Sequence, residues 1–281
     1  MKLRNYLKMD YNDILEISSY IWDGQDYVPD VINNFLANRN CYPVVVEVDS
    51  KVVSVANTHK FSETYYWLHA MRTHPKYRGR GYATELTKYQ EALVKELGGH
   101  ETWLITSLEN KATAKMLKRL QYEEICQYKL WKNTQPTDIS KIPRDTKPDE
   151  EEWSVIKSVT LLNQAMNNLE DSIPHLLIGE FMTYPGDSYF IETMLTNGEI
   201  YSNSKSNALM TISKSAENQR DYIIGITTSH KDIMESASRF ALETITQYLG
   251  ADNEVLIFYP AIVESVHFAS DRYFRLLRKQ L

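Results

Sequence analysis

The sequence predicts an α/β fold built on a mixed (α+β) sheet, in two domains that repeat one order of elements. Three observations carry this. Strand-like and helix-like stretches alternate through both halves, a proline-bearing polar segment separates the halves, and 281 residues suffice for each half to bury its own core. The separating segment, KNTQPTDISKIPRDTKPDEEE, carries Pro136, Pro143 and Pro148 among polar and charged residues. Proline without packing residues reads as an extended connector. The domains are therefore placed at 1–132 and 153–281, with 133–152 as the linker.

The first half opens with LRNYLKM as a short strand, and Asp10 is expected to cap a helix over ILEISSYI. A second helix follows Pro29, with Val31, Ile32, Phe35 and Leu36 on one side. YPVVVEV, a DSK turn and VVSVANTHKF read as a hairpin of β-branched strands, and TYYWLHAMRT as a third strand. Next comes a long helix with a stripe of Tyr82, Leu86, Tyr89, Leu93 and Leu97, stopped by Gly98 and Gly99. ETWLITSL is a strand, NKATAKMLKRL a helix and EEICQYKLWK a strand.

The second half reads similarly. EEWSVIKSVT is a strand and LLNQAMNNLED a helix; SYFIETML, an Asn197–Gly198 turn and NALMTISK suggest antiparallel strands. YIIGITT is a strand, DIMESASRFALETITQYLG a helix, EVLIFYP a strand and IVESVHFASDRYFRLL a closing helix.

With 31 basic and 37 acidic residues the net charge is −6, which argues against a nucleic-acid or anionic-membrane partner. Cys41 and Cys126 have no metal-ligand spacing, so no metal is expected, and they read as small hydrophobes in a reducing compartment. The amino terminus lacks the apolar core of a signal peptide, and a cytoplasmic location is expected.

Chemistry concentrates in HPKYRGRGYATEL, residues 74–86. Arg78, Gly79, Arg80, Gly81, Tyr82 and Ala83 lie between a strand and a long amphipathic helix. There, free backbone N–H groups and the helix dipole favour an anion. Glycines let the backbone approach a ligand, and arginines add charge-assisted hydrogen bonds. Read as a plain basic surface turn, the segment would set its cations against the positive end of the dipole. Thr84 excludes the dinucleotide fingerprint G-x-G-x-x-G, and a Walker A loop is excluded for want of G-K-[ST].

MRTHPKYRGRGYA resembles the acetyl-CoA-binding motif of the GNAT acyltransferase superfamily, through Met71, Pro75, Arg78, Gly79, Gly81 and Ala83. The order of elements from Lys2 to Lys132 agrees with that fold. The resemblance implies acetyl-CoA as co-substrate, with the N–H groups of Gly79, Arg80, Gly81, Tyr82, Ala83 and Thr84 on its pyrophosphate. The backbone of Met71 and Thr73, where the strand splays from its neighbour, would pair with the pantetheine arm, which Asn110 would also face. YIWDGQDYVPDVINNFL is similar to a segment of the histidine N-acetyltransferase-like branch, whose members carry a carboxy-terminal extension. By that likeness Asp26 would pair with an acceptor ammonium and Tyr27 would wall the pocket; equally, Asp26 caps the Pro29 helix and Tyr27 packs in the core.

The implied reaction is direct attack of a small-molecule primary amine, such as that of an amino acid, on the thioester. His69 is the expected base, on the strand side it shares with Met71 and Thr73 and with an ordinary imidazole pKa near 6.5; equally, it is a structural histidine with its own hydrogen-bond partner. Where many superfamily members have an acidic Tyr, this chain has Leu117, and Gln121–Tyr122 replaces the usual Gly-Phe. That departure motivates an alternative, a silent acyl-CoA-binding or sensing protein; an enzyme acetylating protein lysines or amino termini is a further one. In the second half GITTSHKDIMESA stands at the corresponding junction without the motif. The second domain is expected to be a degenerate GNAT-like domain without coenzyme A, covering the acceptor cleft or mediating association such as a homodimer.

Overall fold

The computed structural model describes residues 1–133, 152–215, 221–246, 248, 253–265, 268, 270 and 272–281. The expected linker between its end residues lies outside the described residues, as does His267. The chain divides into two compact units. The first comprises Met1–Leu104, Ala112–Glu123 and Arg278–Leu281; the second comprises Ile105–Lys111 and Glu124–Leu277.

In the first unit, β1 (Lys2–Asn5), β2 (Cys41–Val48), β3 (Lys51–Lys60), β4 (Tyr65–Thr73) and the start of β5 (Glu101–Ser107) form a sheet in sequence order. Every junction is antiparallel except β4–β5, which is parallel. Helices α1 (Tyr11–Ser18) and α2 (Val28–Ala37) bury Ile14, Ile17, Val28 and Ile32 against Val45, Val52, Val55 and Ala70. Helix α3 (Tyr82–Glu96) buries Leu86 with Val44, Val46, Val53 and Ala56. Val44, Val45 and Val46 thus feed alternate faces, which is why β2 reads as a continuous apolar run.

Two local expectations are corrected. Asp10 does not cap α1: its carboxylate accepts from the Leu7 N–H at 2.8 Å and from Arg4 at 2.7 and 2.8 Å. The buried residues of α3 are Leu86, Thr87, Gln90, Glu91 and Val94, while Tyr82 and Tyr89 of the expected Tyr82–Leu97 stripe pack part-buried against the cluster around Leu86. The polar members are buried because each has an internal partner. Gln90 donates to Asn57 O and Thr58 Oγ1, both at 3.0 Å, and Glu91 pairs with Lys279 at 2.6 Å. Lys279 belongs to the carboxy-terminal residues that lie in this unit, where the Leu281 N–H also donates to His100 O at 2.7 Å.

The second unit contains α4 only at its first residue (Lys111–Arg119) and most of β6 (Glu123–Lys132). It continues with β7 (Trp153–Val155), α5 (Val159–Asn167), the β8–β9 hairpin (Leu177–Gly179, Met182–Tyr184) and α6 (Ile191–Thr196). Strands β10 (Ile200–Asn203), β11 (Leu209–Lys214) and β12 (Tyr222–Thr227) follow, then α7 (Lys231–Thr246), β13 (Val255–Pro260) and β14 (Tyr273–Gln280), which belongs here as far as Leu277. The series β7-β10-β11-β12-β13 repeats the orientations of β1 to β5, with β12–β13 as the parallel junction and α7 as its crossover. Strand β6 then adds antiparallel to β13.

Two elements of this half differ from expectation. SYFIETML holds helix α6, not a strand, burying Ile191 and Met194. The Asn197–Gly198 signal is the stop of that helix: Gly198 has φ 69°, and the N–H of Glu199 reaches back to Met194 O at 2.9 Å. The end of the expected closing helix, from Tyr273, is strand β14, whose Tyr273 carbonyl accepts from the Leu108 N–H at 2.9 Å, so pairing overrides the local pattern there.

Candidate functional site

Strand β4 ends at Thr73, and a short 3-10 turn, Pro75–Tyr77, leads to α3. Gly79 and Gly81 take left-handed backbone, with φ 76° and 85°, and Gly81 is the residue from which α3 starts. A Cβ on either glycine would meet nothing within 4 Å, so conformation and open space, not packing, call for glycine here. Among the described residues, no protein acceptor takes the backbone N–H groups of residues 79–84, while the next, on Glu85, donates to Gly81 O at 3.0 Å. A run of unmet donors at the positive end of a long helix is an anion cradle. The arginines are partly engaged: Arg78 Nε donates to Thr73 O at 3.1 Å, and the Arg80 guanidinium lies 5.2 Å from the Tyr77 ring centre.

The ladder between β4 and β5 covers Tyr65↔Glu101, Tyr66↔Thr102 and Trp67↔Trp103, while β4 itself continues to Thr73. Along that continuation Ala70 has φ 57°, and the register with β3 shifts between Val55 and Asn57, so β4 carries a bulge. The bulge breaks the side-chain alternation. Met71 packs with the cluster around Leu86 of α3, whereas His69 lies edge-on to Phe35 of α2, 5.1 Å between ring centres. His69 and Met71 therefore do not share a side as expected. Thr73 Oγ1 is 2.8 Å from Ser54 Oγ.

The environment of His69 also departs from the expectation. Its Nε2 lies 2.8 Å from Asn57 Nδ2, and its ring stacks with His59 at 6.0 Å. Burial, then His59 and Arg72, pushes its pKa down to about 3, and burial pushes His59 down to about 4. At neutral pH the imidazole is uncharged and a weak proton acceptor.

Asp26 does not point a free carboxylate at the solvent. It accepts from Arg72 Nη2 at 2.8 Å, from Arg72 Nε at 3.1 Å to each oxygen, and from Ser18 Oγ at 2.8 Å. Its Oδ1 also lies 3.5 Å from the Val28 nitrogen at the start of α2. An ammonium would have to displace Arg72, so the expected pairing with the acceptor is not what this carboxylate does. Tyr27 is part-buried against the α1–α2 core and lies 5.4 Å from the Arg72 guanidinium, with Trp22 at 4.9 Å on the same cation.

Arg72 and Trp22 escaped the sequence reading, as did His74. An arginine within a largely apolar strand needs a partner, and that was the available signal for Arg72. His74 is buried, with Nε2 3.2 Å from Glu16 Oε1 and Nδ1 accepting from the Lys76 N–H at 3.2 Å, so it fixes the turn that precedes the cradle. Leu117 is buried as a core residue. Asn110 lies in the second unit, its N–H donating to Ser107 O at 3.1 Å.

At the corresponding junction of the second unit, between β12 and α7, a half-exposed carboxylate pairs with two side chains. Ser229 Oγ donates to Glu170 Oε2 at 2.6 Å, and His230 Nε2 lies 2.8 Å from Glu170 Oε1. A protein carboxylate thus sits beside the residues that lead into this helix, and the Ser229 hydrogen bond leads in lowering its pKa. Gly225 is required by packing, because a Cβ there would stand 2.0 Å from Ile178 O of β8.

Residues 9–122 match the acetyltransferase (GNAT) family. The match spans α1 to the end of the first unit's central segment and includes the whole cradle. No curated protein matches the sequence. A solved structure of a Thermoplasma acidophilum protein, provisionally assigned as an acetyltransferase, superposes with a TM-score of 0.62 over 100% of both chains at 10% identity. A GCN5-related N-acetyltransferase from Sphaerobacter thermophilus superposes with a TM-score of 0.60 over 99% of this chain and 95% of that one, also at 10% identity. At such identity these likenesses establish the fold: the chain has the mixed α/β architecture of GNAT proteins along its length.

Proposed function

We propose that the protein is an acetyl-CoA-dependent N-acetyltransferase acting on the primary amine of a small molecule. The observation that carries the reading is the run of unmet N–H groups from Gly79 to Thr84 at the start of α3. A pyrophosphate would satisfy these donors, and the helix dipole would stabilise it. The backbone of Met71 and Thr73, beyond the point where the β4–β5 ladder ends, would hold the pantetheine arm and offer N–H donors to the developing oxyanion. The free amine attacks the thioester carbon, the carbon–sulfur bond breaks, and the coenzyme leaves as its thiolate, which takes a proton from solvent water. With His69 neutral and engaged by Asn57, the amine's proton passes to solvent water in this account.

The carboxylate of Glu170 supports a second unit that binds no coenzyme A. A second reading, a silent acyl-CoA-binding protein, draws support from the buried Leu117, which supplies no proton to a leaving thiolate. Calorimetry with coenzyme A, followed by thiol release on an amine panel, separates the two. Binding with turnover supports the enzyme; binding without turnover of any amine supports the silent protein; no binding overturns both.

A further inference from the structure

The geometry points to Arg72 as a recognition group for a carboxylate on the acceptor, so that the acceptor is an amino acid rather than a simple amine; this rests on the acetyltransferase reading. A guanidinium carries five N–H donors in a rigid fork. Arg72 spends its Nε–H and one Nη2–H on Asp26, at 3.1 and 2.8 Å, and one Nη1–H on Met71 O at 3.1 Å. One N–H remains on each terminal nitrogen. Two such donors on one planar group match the two oxygens of a carboxylate.

That group is held in place. The Asp26 side chain is 0% exposed and the Arg72 side chain 13%, so the guanidinium is anchored from below yet still reached by solvent. Trp22 and Tyr27 lie against it, at 4.9 and 5.4 Å from ring centre to Cζ. Trp22 is 63% exposed, and it and Asp23 hold left-handed backbone with φ 46° and 56°. An exposed ring on strained backbone is not placed there by its own burial; the Arg72 contact and stacking on Tyr27, 6.5 Å between ring centres, hold it. Arg72 also sits between Met71 and Thr73, whose backbone the proposed mechanism gives to the acyl donor. In an α-amino acid the carboxylate and amine share one carbon, so a carboxylate on these donors brings the amine close to that strand.

The test compares L-phenylalanine, L-tyrosine and L-lysine with phenethylamine, tyramine and cadaverine, in the full-length protein saturated with acetyl-CoA. The amino acids should lead in kcat/KM by about 10- to 100-fold, the range of hydrogen bonds to charged groups. Arg72→Lys keeps the charge opposite Asp26 but loses the fork; it should raise the amino-acid KM and erase the preference over the matching amines. Equal use of both members of each pair by the native protein, or an unchanged ratio in Arg72→Lys, overturns the inference. Should Arg72→Lys fail to bind coenzyme A, Asp26→Asn replaces it: loosening the anchor should raise the amino-acid KM several-fold, and no change overturns the inference. Tryptophan emission of the coenzyme A complex, with Trp22→Phe as control, reads the site without turnover. Quenching by the amino acids alone upholds the Arg72 site even if catalysis is absent, which sinks only the enzyme reading; turnover of all amines alike does the reverse.

Discussion

Substituting Gly81 by Ala and by Asp isolates the cradle's electrostatics from its folding. Both side chains enter a position with φ 85° and no heavy atom within 4 Å of the new Cβ, so neither meets a steric barrier. Alanine incurs the left-handed backbone cost, about 1 kcal/mol or about 2–4 °C in Tm, and aspartate less of it. Only aspartate adds a charge beside the N–H groups of residues 79–84. Two unit charges about 4 Å apart repel by about 4 kcal/mol at a near-surface effective dielectric, and screening at physiological salt reduces this to about 3. Gly81→Asp should therefore bind coenzyme A at least about 100-fold more weakly than Gly81→Ala in calorimetry, although it is the more stable of the two as a residue at the start of α3. Equal affinities in the two variants would refute the assignment of residues 79–84 to the pyrophosphate.

Acid should destabilise the first unit through its buried histidines. His69 and His59 titrate near 3 and 4 when folded, below the unfolded value of about 6.5, so their contribution is full above pH 6.5 and is lost as pH falls toward 4. Thermal melts should show that loss, and His69→Gln should lessen its slope by up to about 1.4 kcal/mol per pH unit; an unchanged slope contradicts the burial account. The same substitution should leave the shape of the pH–rate profile above pH 6.5 unaltered, and a shifted profile would restore His69 as a titrating base. Gly225→Ala places a Cβ 2.0 Å from Ile178 O and should cost the second unit about 3 kcal/mol in denaturant unfolding, with coenzyme A affinity retained. Lys279→Met leaves Glu91 buried without its partner and should cost the first unit about 3 kcal/mol; replacing both residues by apolar ones should recover most of it.

The first half of the fold was legible because its signals agree. β-branched runs, proline and glycine stops and the cradle motif all specify the same order from Lys2 to Lys132. The second half was misread where short apolar runs are ambiguous. Phe190, Ile191, Met194 and Leu195 suit a helix as well as a strand, and RYFRLL becomes β14 through pairing that lies far away in sequence. At the site, the glycines of the cradle were readable because their conformation is local. The consequences of the Ala70 bulge were not, since one left-handed residue reverses which face each later side chain takes. The capture of Asp26 by Arg72 spans 46 positions, and no local pattern announces such a pair.

Backbone amide shifts during a coenzyme A titration test the central claim most directly. The amides of residues 79–84, with Gly79 and Gly81 resolved in the glycine region, should move on binding more than those of the rest of α3. Saturable binding that leaves those amides unmoved would contradict it.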